Sequence, residues 1–132
     1  MLDLVAKKLF LTKGVGVADD KLTSFEFALR QAGIAGTNIV LISSIFPPNA
    51  KLNPRKEGLK LINPGQILFT IYSRNQTNET NRLISASVGI AQPKDRSKYG
   101  YLSEYDTFGK NERESGDYAC LLYTSPSPRD RG

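Results

Sequence analysis

The run Asn38-Ile39-Val40-Leu41-Ile42 constrains the fold more than any other segment of the chain. It holds successive apolar residues, most of them β-branched, and is too short for a helix, while the stiffness of β-branched side chains about χ1 favours extended backbone. An unbroken apolar run, unlike an alternating one, is the pattern of a strand covered on both faces, so a buried strand is predicted here. That strand delivers Ser43 and Ser44 to its end. Pro47-Pro48 then forces an extended exit, because proline fixes φ and disfavours helical backbone in the residue before it.

The rest of the chain is read around this strand. Leu9-Phe10-Leu11 predicts a first strand, closed by the turn-prone Lys13-Gly14-Val15-Gly16. The pair Gly14-x-Gly16 lacks the third glycine of a dinucleotide fingerprint, because Asp19 stands in its place, and reads as a plain loop. Thr23 with Glu26 gives a capping-box pattern, and Phe25, Leu29 and Ala32 share one helical face before Gly33 stops the helix. Lys51, Arg55, Lys56 and Lys60 fall in a basic loop broken by proline and glycine. Residues 66–72 and 83–91 predict two further strands, both central; 99–105 predicts a last strand, and 110–119 the start of a helix. Asn75 and Asn78 each open a glycosylation acceptor pattern, read as a polar loop in the absence of a secretory signal. Strands and helices mix without internal repeats. The expected class is α/β (α+β type): a layered sandwich of mixed or antiparallel sheet with flanking helices, in a single domain, as suits 132 residues.

Composition removes whole classes of chemistry. The chain has no histidine, which excludes Ser-His-Asp triads, zinc helices of the H-E-x-x-H type and histidine bases. A single cysteine, Cys120, leaves no intrachain disulfide and no cysteine-rich metal site, so no metal is expected. The N-terminus carries an early acid and no long apolar run, so neither a secretory signal nor a membrane span is expected, and a cytoplasmic location is. Residues 120–132, CLLYTSPSPRDRG, shift abruptly to Ser, Pro and Arg; their first eleven residues match the translation of a common sequencing-library adapter, so a non-native tail and a missing natural C-terminus are expected. Setting that segment aside removes two arginines and one aspartate and lowers the net charge from +5 to +4. The remaining basic residues are spread out and not interleaved with aromatics, so no nucleic-acid partner is expected.

Two segments carry a family resemblance: AGIAGTNIVLISSIFPP, with Ser43-Ser44 at the end of its strand and Pro47-Pro48 beyond, and ISASVGIAQPKDRSKYGYLSEYD. Together the chain, from the first strand through residue 119, resembles the pyruvoyl-dependent arginine decarboxylases. The resemblance implies a precursor that cuts itself between Ser43 and Ser44, leaving a covalently bound pyruvoyl group derived from Ser44 and needing no histidine. Such a group takes up a substrate α-amine and acts as the electron sink while carbon dioxide leaves, the role otherwise played by pyridoxal phosphate. The implied reaction is conversion of L-arginine to agmatine, feeding polyamine synthesis.

The resemblance also assigns roles. Ser44 is the pyruvoyl precursor and Ser43 the cleavage site. Asn38 assists processing and the active site, though a strand-edge cap is its other reading. Glu104 is the proton donor to the α-carbon. Glu26 contacts the substrate guanidinium, which a carboxylate can pair bidentately, with Leu22 lining the same pocket; the capping box is the competing reading of Glu26. A trimer of cleaved protomers is implied. Two alternatives stand beside this reading: a pyruvoyl decarboxylase of another amino acid, and a non-processing oligomerisation domain.

Overall fold

The structure, a computed structural model, describes residues 4–79 and 83–108. Along the chain run β1 (Lys8–Phe10), α1 (Lys21–Ala32), β2 (Asn38–Leu41), β3 (Ile45–Phe46), β4 (Lys51–Asn53), α2 (Arg55–Leu59), β5 (Ile67–Thr70), β6 (Ile84–Ala91) and β7 (Gly100–Phe108). The predicted helix at 110–119 and the tail at 120–132 lie outside the described residues. Parallel and antiparallel strand pairs combine with two helices and form no barrel among the described residues, in keeping with the α/β sandwich class. No helix among these residues is long and apolar enough to cross a membrane. The described residues divide into two compact units, one lying within 4–40 and 50–69, the other within 41–49, 70–79 and 83–108.

In the first unit β1 and β4 pair in parallel, Lys8 opposite Lys51 and Phe10 opposite Asn53. Helix α1 begins two residues before the predicted cap. Asp20, not Thr23, is the N-cap, and its carboxylate accepts hydrogen bonds from the Thr23 N–H and the Thr23 hydroxyl, both at 2.8 Å. An aspartate at this position meets the unpaired N–H groups of the first turn and the positive end of the helix dipole together, so it outcompetes threonine. Glu26 is thereby released from the capping box. Gly33 ends the helix as predicted, in the left-handed region at φ 87°, where its N–H reaches Arg30 O and the next N–H, from Ile34, reaches Leu29 O.

The Gly14-x-Gly16 segment is a loop, but a closely packed one. A Cβ on Gly14 would lie 2.0 Å from Ala28 O, and one on Gly16 1.9 Å from Ser24 O, so the two glycines let this backbone lie directly on α1. The intervening Val15 N–H donates to Gln31 Oε1 at 2.6 Å. Helix α2 was not predicted; five residues are too few for helical periodicity to register. Its Arg55 donates through Nε to Thr12 Oγ1 at 2.8 Å and through Nη2 to Gln31 O at 2.9 Å, placing a cation against the carbonyl end of α1. Thr12 Oγ1 in turn donates to Ala32 O at 2.7 Å.

Strand β2 pairs with β5. The Asn38 N–H donates to Gln66 O at 2.8 Å and the Ile42 N–H to Thr70 O at 3.0 Å; the constant offset means that the two strands run in the same direction. The expectation that β2 is buried and β5 central is corrected. Leu41 is 60% and Ile67 60% exposed, because each strand has a single partner and its apolar side chains lack cover among the described residues. In the second unit the order is β3, β7, β6, all antiparallel, so β7 is the central strand and β6 stands at an edge, contrary to expectation. Phe46 and Leu102 are buried at its core, with Ser103 beside them.

Replacing Asp20 with alanine is expected to lower Tm by a few degrees at neutral pH. The Thr23 N–H and then the Thr23 hydroxyl hold the Asp20 carboxyl below its ordinary value of 3.8. Its contribution to stability is therefore present above that value and lost as pH falls through the lower folded-state one, so the Tm gap between wild type and Asp20→Ala should close in acid; a gap constant with pH would refute the charge component. Arg55→Met should cost about 1 kcal/mol in urea unfolding through loss of its two hydrogen bonds at the end of α1.

Candidate active site

Ser43 and Ser44 lie between β2 and β3, in backbone that belongs to neither strand, and both are exposed. The chain is tied down on either side of them. Upstream the Ile42 N–H is bonded to Thr70 O, and downstream the Ser44 carbonyl accepts the Leu102 N–H at 2.8 Å. That bond continues the register of β3 against β7, where Ile45 faces Tyr101 and Phe46 faces Gly100. Phe46, 2% exposed, anchors the same short strand by its side chain. Among the described residues the Ser43–Ser44 peptide itself enters no backbone ladder. A junction that is accessible, outside any ladder and flanked by held backbone suits cleavage there followed by retention of both new ends, and the exposed Ser44 hydroxyl is of the type the chemistry needs.

Glu104 lies on β7 opposite Val88 and is exposed. It is two residues beyond Leu102, so its side chain leaves the same face of the strand, about 7 Å along from the residue that holds Ser44. The next carbonyl, of Tyr105, accepts the Ser73 hydroxyl at 2.9 Å and the Ser87 hydroxyl at 3.4 Å, which fixes the backbone immediately after Glu104. Ser43, Ser44 and Glu104 thus share one unit. Leu102 and Ser73 join them without having been singled out from sequence: one acts through its main chain and the other from a polar loop, and neither carries a sequence signal.

Leu22, Glu26 and Asn38 belong to the first unit. Asn38 opens β2, and its side-chain amide donates to Gly65 O at 2.9 Å, the geometry of the strand-edge cap. Leu22 is 79% exposed and lies one turn before Glu26 on the same face of α1. The Glu26 carboxylate accepts Arg30 Nε at 3.2 Å through Oε1, one turn further on. It therefore already pairs with a guanidinium, at the surface and through a single contact.

Comparison with known proteins places this arrangement. The family model described as pyruvoyl-dependent arginine decarboxylase matches residues 8–124, which takes in all the residues named above. A protein of Nitrosopumilus maritimus named pyruvoyl-dependent arginine decarboxylase is 75% identical over 119 residues, covering 90% of this chain and 65% of the relative. Proteins of the same name from Thermoplasma volcanium and Picrophilus torridus are 54% identical over 122 residues and 52% over 119, covering 92% and 90% of this chain and 67% and 65% of the relatives. The chain thus spans 65 to 67% of the length of these curated relatives. With a family match over residues 8–124 and identities of 52 to 75% to these relatives, the chain belongs to the pyruvoyl-dependent arginine decarboxylase family.

Proposed function

We propose that this chain is a self-processing precursor which cuts between Ser43 and Ser44 and then decarboxylates L-arginine to agmatine and carbon dioxide. The observation that carries the reading is the Ser43–Ser44 junction, held outside any ladder among the described residues between the anchored Ile42 N–H and Ser44 carbonyl. The Ser44 hydroxyl adds to the Ser43 carbonyl carbon, the peptide C–N bond breaks, and the acyl group passes from nitrogen to oxygen as an ester. Loss of the Ser44 Cα proton then breaks the Cβ–Oγ bond and releases Ser43 as a carboxylate. The remaining dehydroalanine isomerises to an imine, and one water converts it to the ketone with release of ammonia. Atoms and electrons balance without any oxidant.

The pyruvoyl group so formed supplies an electron sink for the carbon dioxide leaving the substrate. The chain's own residues do the rest. Glu104 delivers a proton to the substrate α-carbon, and its place two residues from the Ser44 contact supports that role. Glu26 recognises the guanidinium, exchanging the exposed Arg30 contact for the substrate's, with Leu22 one turn away along its alkyl stem. Asn38 assists processing from the start of the strand that leads to Ser43. The working form is a trimer of cleaved protomers in the cytoplasm, with neither nucleic acid nor membrane as a partner. A pyruvoyl decarboxylase of another amino acid would share Ser43, Ser44 and Glu104 but not require Glu26, and a non-processing oligomerisation domain would require none of them.

Intact mass of the expressed chain is expected to give two fragments divided after Ser43, the later one blocked to Edman degradation, whereas Ser44→Ala stays uncut. An uncut wild-type chain favours the non-processing reading. Glu26→Gln is expected to lower kcat/KM for arginine roughly 30- to 100-fold, from the ~2–3 kcal/mol of a charge-assisted pair, and to spare self-cleavage. Undiminished arginine turnover would remove the guanidinium assignment and favour a different amino acid substrate.

A further inference from the structure

The bond between the Leu102 N–H and the Ser44 carbonyl, 2.8 Å long, has chemical content beyond anchoring a strand. Loss of the Ser44 Cα proton leaves an electron pair that delocalises onto this same carbonyl oxygen. The pair then returns to form the Cα–Cβ double bond as the Cβ–Oγ bond breaks and the Ser43 carboxylate departs. Negative charge therefore develops, in the middle of that step, on the oxygen that Leu102 already contacts. The proton passes to solvent base, which reaches Ser44 because the residue is exposed.

The donor is well placed. Leu102 is 4% exposed and lies on β7, which is paired on both sides, with β3 on one edge and Ile90 of β6 opposite Leu102 on the other. Its N–H is fixed before the reaction begins and is shielded from competing water, the two conditions under which a hydrogen-bond donor lowers the barrier to a developing oxyanion. The geometry points to the Leu102 main-chain N–H as the donor that stabilises charge on the Ser44 carbonyl oxygen during the elimination step of self-processing. The assignment rests on the self-processing reading above. It makes residue 102 a catalytic contact through its backbone, open to any side chain with an N–H and closed to proline.

The test is a full chain in which Leu102 is replaced by its α-hydroxy analogue, leucic acid, so that oxygen stands for the N–H and the side chain is kept. A matched control places glyceric acid at Ser103, whose N–H faces β6 instead, opposite Gly89. The Leu102 ester is expected to complete the acyl shift and then stall, with elimination about 100-fold slower, the cost of losing one oxyanion donor. Hydroxylamine should then release a fragment ending at Ser43, distinct in mass from the one produced at the introduced ester after Tyr101. The Ser103 ester, at a comparable loss of Tm, should proceed to the pyruvoyl-blocked fragment near the wild-type rate.

The assignment is overturned if both esters eliminate at the same rate. It is equally overturned if the Leu102 ester stalls before the acyl shift, so that hydroxylamine releases no fragment ending at Ser43; the bond would then serve folding alone. A wild-type chain that never cuts would instead refute the self-processing reading itself, and the assignment with it.

Discussion

The antiparallel rung between the Leu102 N–H and the Ser44 carbonyl ties the Ser43–Ser44 segment to the most protected part of its unit. Strand β3 is two residues long, and a strand so short holds its place only through a neighbour with partners of its own. β7 is that neighbour: it pairs with β6 over eight residues and buries Leu102 and Ser103. The burial of Phe46 secures β3 from within, and the bond from the Asn49 N–H to Arg96 O secures the chain beyond it. The junction between Ser43 and Ser44 can stay outside regular structure because its flanks do not.

Within the first unit the organising constraint is steric. Lys13-Gly14-Val15-Gly16 lies against α1 so closely that any side chain at the two glycines would overlap helix backbone. Arg55 and Thr12 then satisfy carbonyls at the end of the same helix. Besides its own caps at Asp20 and Gly33, α1 thus takes support from outside the helix, whereas Leu22, Glu26 and Arg30 form its own outward stripe. Along that stripe an apolar residue, a carboxylate and a guanidinium stand at successive turns, with the last two paired at 3.2 Å.

In β2, pattern and packing part. Its apolar run correctly specified a strand, since β-branched residues disfavour other backbone at that length. Burial did not follow, because burial depends on what lies against a strand, and among the described residues β2 has only β5 beside it. The capping box failed for a related reason: Thr23 and Glu26 have the right spacing, but Asp20 competes for the same N–H and carries charge suited to the helix dipole.

The sequence by itself determined the chemistry available. The absence of histidine and the Ser43-Ser44 pair between an apolar strand and Pro47-Pro48 were legible because residue type and short-range spacing dictate them. So were the helix stop at Gly33 and the strand containing Glu104, each resting on local backbone preference. Only the tertiary structure decided that β7 is central, that Leu102 meets Ser44, that Ser73 and Ser87 converge on the Tyr105 carbonyl, and that Glu26 engages Arg30 and not the helix cap. The physical reason is that main-chain groups are the same at every residue: which N–H meets which carbonyl is set by long-range register, and no side-chain pattern records it.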